Sequence, residues 1–206
     1  LIGAAFEFSK QTKAVRDGDH YIVNGTKSFI SGGGYSDVYV TMVRTGDQSS
    51  SGISTLMIEK DCPGISFGAQ EKKMGWNSQP TAQVIFEDCR VPVKNLLGKE
   101  GDGFKIAMKG LDGGRLNIAA CSLGTAQSAF ERAVEYVGDR EQFGNKLQDF
   151  QSIQFKLADM ATELEASRLM LRSAAVKVDE NTPDKTKSAA MAKRFVTDLG
   201  FKIVNE

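Results

Sequence analysis

Between Phe150 and Val178 the apolar residues recur at alternating spacings of three and four: Phe150, Ile153, Leu157, Met160, Leu164, Leu171, Ala174 and Val178, with Ser167 the one polar member of the series. That rhythm brings the whole series to one face of an α-helix and makes it the seam of a helix bundle. A lone helix cannot bury such a seam, so the region is committed to helix-on-helix packing. Its neighbours supply partners. Phe104, Met108, Leu111, Ile118, Thr125 and Ala129 roughly mark one face of a helix running toward Asp139, and Ala192, Phe195, Leu199 and Ile203 mark a third helix. Thr182-Pro183 reads as the N-cap and first residue of that third helix. Its stripe runs on to Ile203-Val204 with no C-cap glycine, and Leu169-Met170 lie off the main seam. The expectation is therefore a bundle with further helical partners, and a chain taken from the middle of a larger protein.

Upstream the period is that of strands. Thr12 to Arg16, Asp17-Gly18, Asp19 to Val23, Asn24-Gly25 and Thr26 to Ile30 predict a meander with two hairpin turns. Asp37–Val43, Ile53–Ile58, Ile65–Phe67 and Ala82–Phe86 predict further strands, and Val91-Pro92-Val93 ends the β-rich part. Many short strands followed by long helices predict an α+β chain of two domains. Residues 1–98 would form an antiparallel β-barrel or sandwich, and residues 99–206 part of an up-down four-helix bundle.

Composition narrows the function. The 26 basic and 26 acidic residues cancel, which argues against an extended nucleic-acid surface but leaves room for a local basic pocket. No apolar run approaches a membrane span, and Leu1-Ile2-Gly3-Ala4-Ala5 lacks the basic flank of a signal peptide. Cys62, Cys89 and Cys121 are odd in number and far apart, so buried free thiols in a reducing compartment are expected rather than a disulfide or zinc scaffold. The single histidine, His20, reads as a structural strand residue, which leaves no basis for a His triad or a multi-histidine metal site.

Three stretches can carry chemistry. Phe29-Ile30-Ser31-Gly32-Gly33-Gly34 is either a plain glycine turn or a place where a ligand approaches the backbone beside a hydroxyl. Asp112-Gly113-Gly114-Arg115 interrupts a helix with two glycines that cost about 1 kcal/mol each against alanine. Close helix packing or a ligand groove, or both, can compensate. Arg140-Glu141-Gln142-Phe143-Gly144 is either helix punctuation or, with Phe150-Gln151 just downstream, a clasp for a phosphate-bearing cofactor. Gly98-Lys99-Glu100-Gly101-Asp102-Gly103 reads as a linking turn rather than a phosphate loop.

Taken in order, Phe29-Ile30-Ser31 after Asn24-Gly25, Phe86-Glu87-Asp88-Cys89-Arg90-Val91-Pro92, Gly101-Asp102-Gly103-Phe104 and Arg140 to Gly144 resemble the acyl-CoA dehydrogenase family over essentially the whole chain. Glu71 to Thr81 and Gly110 to Arg115 are most similar to its members acting on short branched-chain acyl-CoA thioesters. The resemblance implies a middle β-domain and the first half of a C-terminal bundle in a homotetramer. It implies FAD, with Phe29, Ile30 and Ser31 lining the flavin ring, Arg140, Phe150 and Gln151 holding the pyrophosphate–adenosine part from a neighbouring subunit, and Phe143 packed at that end. Asp112, Gly113, Gly114 and Arg115 would contact the acyl-CoA. The implied reaction is α,β-dehydrogenation of isobutyryl-CoA to methacrylyl-CoA in valine breakdown in the mitochondrial matrix, with an electron-transfer flavoprotein as acceptor. Leu1-Ile2-Gly3 departs from the family's acidic flavin segment. The family's catalytic glutamate is expected beyond Glu206, so no catalytic residue is assigned and the chain alone is expected to be inactive. Another short-chain specificity, an acyl-CoA oxidase and a non-catalytic assembly relative are the alternatives.

Overall fold

A computed structural model describes residues 12–206 in full and residues 2–5 by their backbone. The chain divides after Met108 into two compact units. The first is built on one eight-stranded sheet of β1 (Ile2–Ala5), β2 (Lys13–Asp17), β3 (His20–Ser31), β4 (Val38–Arg44), β5 (Ile53–Glu59), β6 (Ile65–Phe67), β7 (Thr81–Pro92) and β8 (Leu96–Leu97). Strand order is β6-β7-β3-β2-β4-β5-β8, with β1 also on β4. The β1–β4 and β2–β4 pairings are parallel and the rest antiparallel. Alternate residues of the strands supply one core: Tyr21, Val23 and Ile30 from β3, Tyr39 and Val43 from β4, Leu56 and Ile58 from β5, and Val84, Phe86, Cys89 and Val91 from β7.

Asp17-Gly18 is a hairpin as expected, with Asp17 opposite His20. Asn24-Gly25 is not. β3 runs through it for 12 residues, and the register against β7 slips between Val23 and Gly25. The slip is a β-bulge. Asp88, at φ 47°, is the matching irregularity on β7, where its backbone N–H donates to Asn24 Oδ1 at 2.8 Å while Asn24 Nδ2 donates to Asp88 Oδ1 at 3.0 Å. A bulge and a tight turn ask for the same permissive residues, so the dipeptide alone does not separate them. His20 sits in β3 with Nδ1 at 2.5 Å from Asp19 Oδ1, and this bond holds the Asp19 carboxyl below its ordinary range. Of the free thiols, Cys89 is buried as expected, whereas Cys62 is half-buried and Cys121 exposed.

The linking turn after β8 is tied to the sheet. Lys99 N–H donates to Asp102 Oδ2 at 3.1 Å, and Glu100 accepts from the buried Tyr21 hydroxyl. Burial, reinforced by Glu100, pushes the Tyr21 phenol up to about 12. Helix α1 (Gly103–Asp139) starts within the β unit, where Ala107 packs with Met42 and Ile53.

The second unit holds the rest of α1, a small hairpin of β9 (Glu141–Gln142) and β10 (Asn145–Lys146), α2 (Gln151–Asp179) and α3 (Lys185–Asn205). The α2 seam forms as read: Met160, Leu164, Ser167 and Ala174 are buried and the other members half-buried. The faces of its partners are rotated from expectation. On α1 the core residues are Ala119, Leu123 and Ala126, whereas Phe104 and Thr125 are exposed. On α3, Ala192 and Ile203 are buried as read, together with Ala189, Val196 and Gly200, while Phe195 and Leu199 lie at the edge. Small residues line these faces because the helices come close together. A Cβ on Gly200 would collide with Ser122 Oγ and stand 3.3 Å from the Ser122 carbonyl oxygen. Bulk, which the sequence reading followed, sits beside that contact.

Helix α3 also begins two residues later than Thr182-Pro183 suggests. Asp184 occupies the N-cap position but makes no cap bond, because its carboxylate accepts from Lys177 Nζ at 2.6 Å and from the Thr182 hydroxyl at 2.8 Å. The Lys177 hydrogen bond, followed by that of Thr182, pulls the Asp184 carboxyl down to about 2 from 3.8. A folded-state pKa below the unfolded one stabilises above the unfolded value and is lost as pH falls through the folded value. The stability gap between this chain and its Lys177→Met variant should therefore persist at pH 5 and vanish by about pH 2, as followed by helical circular dichroism in urea. A gap that is the same at both pH values would refute the pairing.

Candidate functional site

Phe29 and Ser31 lie at the end of β3, where a second register shift falls between Lys27 and Ile30. The shift leaves Phe29 at φ 56° with its ring 73% exposed, an unfavourable arrangement for a bulky side chain on both counts. Ile30 points into the sheet core and can offer a ligand only its backbone. Ser31 is exposed, pairs with Thr81 of β7, and its hydroxyl has no hydrogen bond among the described residues. The glycines after it close a rigid turn. Gly32 N–H donates to the Pro80 carbonyl at 2.8 Å, and the buried Tyr39 hydroxyl donates to the Gly32 carbonyl and accepts from Gly34 N–H, both at 3.0 Å.

The Glu71 to Thr81 segment is fastened to the same corner. Gln70 Nε2 donates to the Gly33 carbonyl at 2.8 Å and its Oε1 accepts from Thr81 N–H at 2.9 Å. Lys73 Nζ donates to the Trp76 carbonyl at 2.9 Å, to Thr81 Oγ1 at 3.1 Å and to the Gln79 carbonyl. Sequence reasoning missed Gln70 and Lys73, since bonds to distant backbone leave no local signature. The corner thus presents an aromatic face and a free hydroxyl on a braced backbone.

In the second unit Asp112 is buried. Its Oδ1 accepts from Arg115 Nη1 at 2.7 Å and its Oδ2 from the Thr186 hydroxyl of α3, also at 2.7 Å. Arg115, 34% exposed, is held by this pair with part of its guanidinium open. Among the described residues outside its own helix turn, a Cβ at Gly113 or Gly114 would meet no atom within 4 Å. Within this chain that leaves bare helix backbone beside a positioned arginine. Thr186 was also missed, being 74 residues from its partner.

Arg140 begins a hairpin, not a simple helix break. Asn145 pairs with Gln142 and Lys146 with Glu141, so Phe143 and Gly144 form a two-residue turn at φ 53° and 78°. Positive φ at both positions is the type I′ pattern, normally filled by Asn-Gly. Phe143 takes the strained place and is 92% exposed. The base of the hairpin is closed by Leu147 N–H donating to the Arg140 carbonyl at 2.9 Å. The Arg140 side chain is exposed and has no hydrogen bond among the described residues. Phe150 is the half-buried N-cap residue of α2 and gives no side-chain cap, so the first amides of the helix stay open beside exposed Gln151. An open helix N-terminus and a free guanidinium joined by a short hairpin suit a phosphate group.

Within the second unit, Arg140, Phe143, Phe150 and Gln151 form one locus and Asp112 to Arg115 another. At 1.5 Å per residue the two stand about 40 Å apart along α1. Among the described residues no group of three or more His, Cys, Asp or Glu side chains could hold a metal ion, and no helix is long and apolar enough to cross a membrane.

Residues 4–89 match the acyl-CoA dehydrogenase middle domain and residues 101–206 the acyl-CoA dehydrogenase C-terminal domain. The chain is 58% identical over 199 residues to the mitochondrial isobutyryl-CoA dehydrogenase of Dictyostelium discoideum, covering 96% of the chain and 48% of that protein. It is 56% identical over 198 residues to the mitochondrial isobutyryl-CoA dehydrogenase of Bos taurus, with the same coverages of 96% and 48%. The chain thus spans about half the length of the curated relatives it matches. Butyryl-CoA dehydrogenase from Megasphaera elsdenii has the same mixed fold, with a TM-score of 0.93 at 41% identity over 98% of this chain and 55% of that one. Both units are accounted for by consecutive domain matches, and the chain belongs to the acyl-CoA dehydrogenase family.

Proposed function

We propose that the protein carrying this sequence is an FAD-dependent acyl-CoA dehydrogenase that converts isobutyryl-CoA to methacrylyl-CoA in the valine breakdown of the mitochondrial matrix. Its electrons pass to an electron-transfer flavoprotein. The observation that carries the reading is the corner at Phe29–Ser31, where a strained, exposed aromatic ring and a free hydroxyl on a braced backbone suit a flat, polar-edged ring system. The branched substrate rests on likeness to the two isobutyryl-CoA dehydrogenases.

The residues present fit FAD. Phe29 and the backbone of Ile30 would line the ring, and the Ser31 hydroxyl would be available to its polar edge. The chemistry FAD would supply when bound is acceptance of a hydride from Cβ of the thioester, which would spare the protein a metal or histidine for the redox step. Arg140, Gln151 and the open α2 N-terminus hold the pyrophosphate–adenosine part, with Phe143 and Phe150 against it. By likeness to the family, that locus is assigned to the cofactor of a neighbouring subunit. Exposed Tyr136, Phe143, Phe155, Leu169, Met191 and Phe201 on the helical unit agree with a homotetramer.

Arg115 binds the acyl-CoA beside the bare backbone of Gly113 and Gly114. Asp112 positions Arg115 and is not the α-proton base, because both of its oxygens are already engaged. No carboxylate of this chain is assigned as base.

The test is purification of the protein that carries this sequence, reconstitution with FAD and comparison of kcat/KM for isobutyryl-CoA and butyryl-CoA with an electron-transfer flavoprotein as acceptor. Bound flavin and a preference for isobutyryl-CoA are expected. Failure to bind FAD removes the whole reading; a preference for butyryl-CoA removes only the substrate. A second test separates stability from binding at the glycines. Gly113→Ala and Gly114→Ala should each stabilise α1 by up to about 1 kcal/mol, since each Cβ has room. The same changes should raise KM for acyl-CoA. Unchanged KM would take the groove away from the substrate.

A further inference from the structure

Cys62 and Cys89 have no part in the sites above, yet they meet. Cys89 lies buried in β7 and Cys62 half-buried in the turn between β5 and β6. That turn is pressed onto β7. Glu87 N–H donates to the Gly64 carbonyl at 2.8 Å, and Gly64, at φ 90°, would place a Cβ 2.8 Å from Cys89 Cα. Only glycine allows so close an approach. The two sulfurs consequently stand 3.3 Å apart, with the Cys89 thiol donating toward Cys62 Sγ and the Cys62 thiol donating to the Arg90 carbonyl at 3.2 Å. Cys62 also borders a cavity of about 300 Å³ whose lining includes Asp61, Arg90 and Lys94. A small solute therefore has a route to the outer sulfur.

We propose that Cys62 and Cys89 form a reversible redox site, closed to a disulfide by peroxides and reopened by small thiols. The Cys62 sulfur attacks one peroxide oxygen, the O–O bond breaks, and a sulfenic acid forms with release of water. The Cys89 sulfur then attacks the Cys62 sulfur and the S–O bond breaks. The leaving hydroxide takes the Cys89 proton as a second water. Two thiols lose two electrons and two protons in all, and the peroxide is reduced. Burial, with the hydrogen bond to Cys62, pushes the Cys89 thiol up to about 12, which makes Cys62 the attacking group and Cys89 the resolving one. Bond formation needs the sulfurs to close from 3.3 Å to about 2.05 Å.

Treatment of the folded protein with one equivalent of hydrogen peroxide, followed by alkylation in denaturant and peptide mass mapping, tests this. Cys62 and Cys89 should leave the alkylated pool together as one linked peptide pair, lighter by two hydrogens and restored by dithiothreitol. Cys121, exposed and without a thiol neighbour among the described residues, should stay alkylated. In Cys62→Ser, Cys89 should remain fully alkylated after the same treatment. Oxidation of Cys121 with the pair still alkylated, or Cys62 halted as sulfinic acid beside a free Cys89, overturns the proposal.

Discussion

Arg140→Ala is expected to weaken FAD binding about thirty-fold while leaving helix content unchanged. A guanidinium hydrogen bond to phosphate contributes about 2 kcal/mol, and 1.4 kcal/mol is about tenfold in affinity. The folded chain loses little, because the Arg140 side chain is exposed and makes no hydrogen bond among the described residues. Its backbone bonds, Arg140 N–H to the Tyr136 carbonyl and Leu147 N–H to the Arg140 carbonyl, both 2.9 Å, survive the substitution. Arg140→Lys keeps the charge but not the planar fork, so an intermediate loss is expected. Titration of FAD into deflavinated protein measures the effect, and size-exclusion chromatography reads the oligomeric state; the proposed tetramer should loosen with the flavin if the clasp crosses subunits. An unchanged FAD affinity would sink the assignment. Loss of helix content in the variant would mean that the hairpin is structural.

The contrast between Arg140 and the α2 seam says what a sequence can and cannot disclose. The seam was legible because its period persists over eight turns and every member obeys it, so that one polar residue, Ser167, does not break the pattern. β6 was legible to the residue because Pro63-Gly64 sets its start. The α1 and α3 faces were misread where alanine and glycine make the contact, since a rule that seeks bulk is blind to close approach at Gly200. Asn24-Gly25 was misread because a bulge and a turn share their chemistry. At Phe143-Gly144 the first turn residue defies propensity, and only the pairing of Glu141 with Lys146 reveals a hairpin. The stretches of the candidate site were legible as glycine, hydroxyl and arginine patterns, but the role of each residue came from likeness to a family. What the structure adds is long-range: Gln70 bracing the Ser31 corner, Thr186 reaching Asp112, and Cys62 meeting Cys89.

Asp112→Ala is expected to destabilise the helical unit by about 3 kcal/mol, near the lower end for breaking a buried pair because Arg115 keeps access to water. The removed carboxylate accepts two bonds of 2.7 Å, so the loss breaks the ties to both the Arg115 guanidinium and the Thr186 hydroxyl and leaves them to water. Thr186→Val removes one of these and should cost about 1 kcal/mol. The double variant should fall short of the sum, since Thr186 has no partner to lose once Asp112 is gone. Urea unfolding of the four proteins gives the coupling, and strict additivity would argue that the hydrogen bond carries no weight. Asp112→Asn preserves volume and one acceptor oxygen, so it should be milder in stability yet still release Arg115 from its ion pair. That variant separates the two roles. In the protein that carries this sequence, its FAD content should be normal and its KM for acyl-CoA raised if Arg115 is the acyl-CoA contact proposed above, because that arginine is no longer aimed. A variant with normal KM would confine Asp112 to holding α1 against α3.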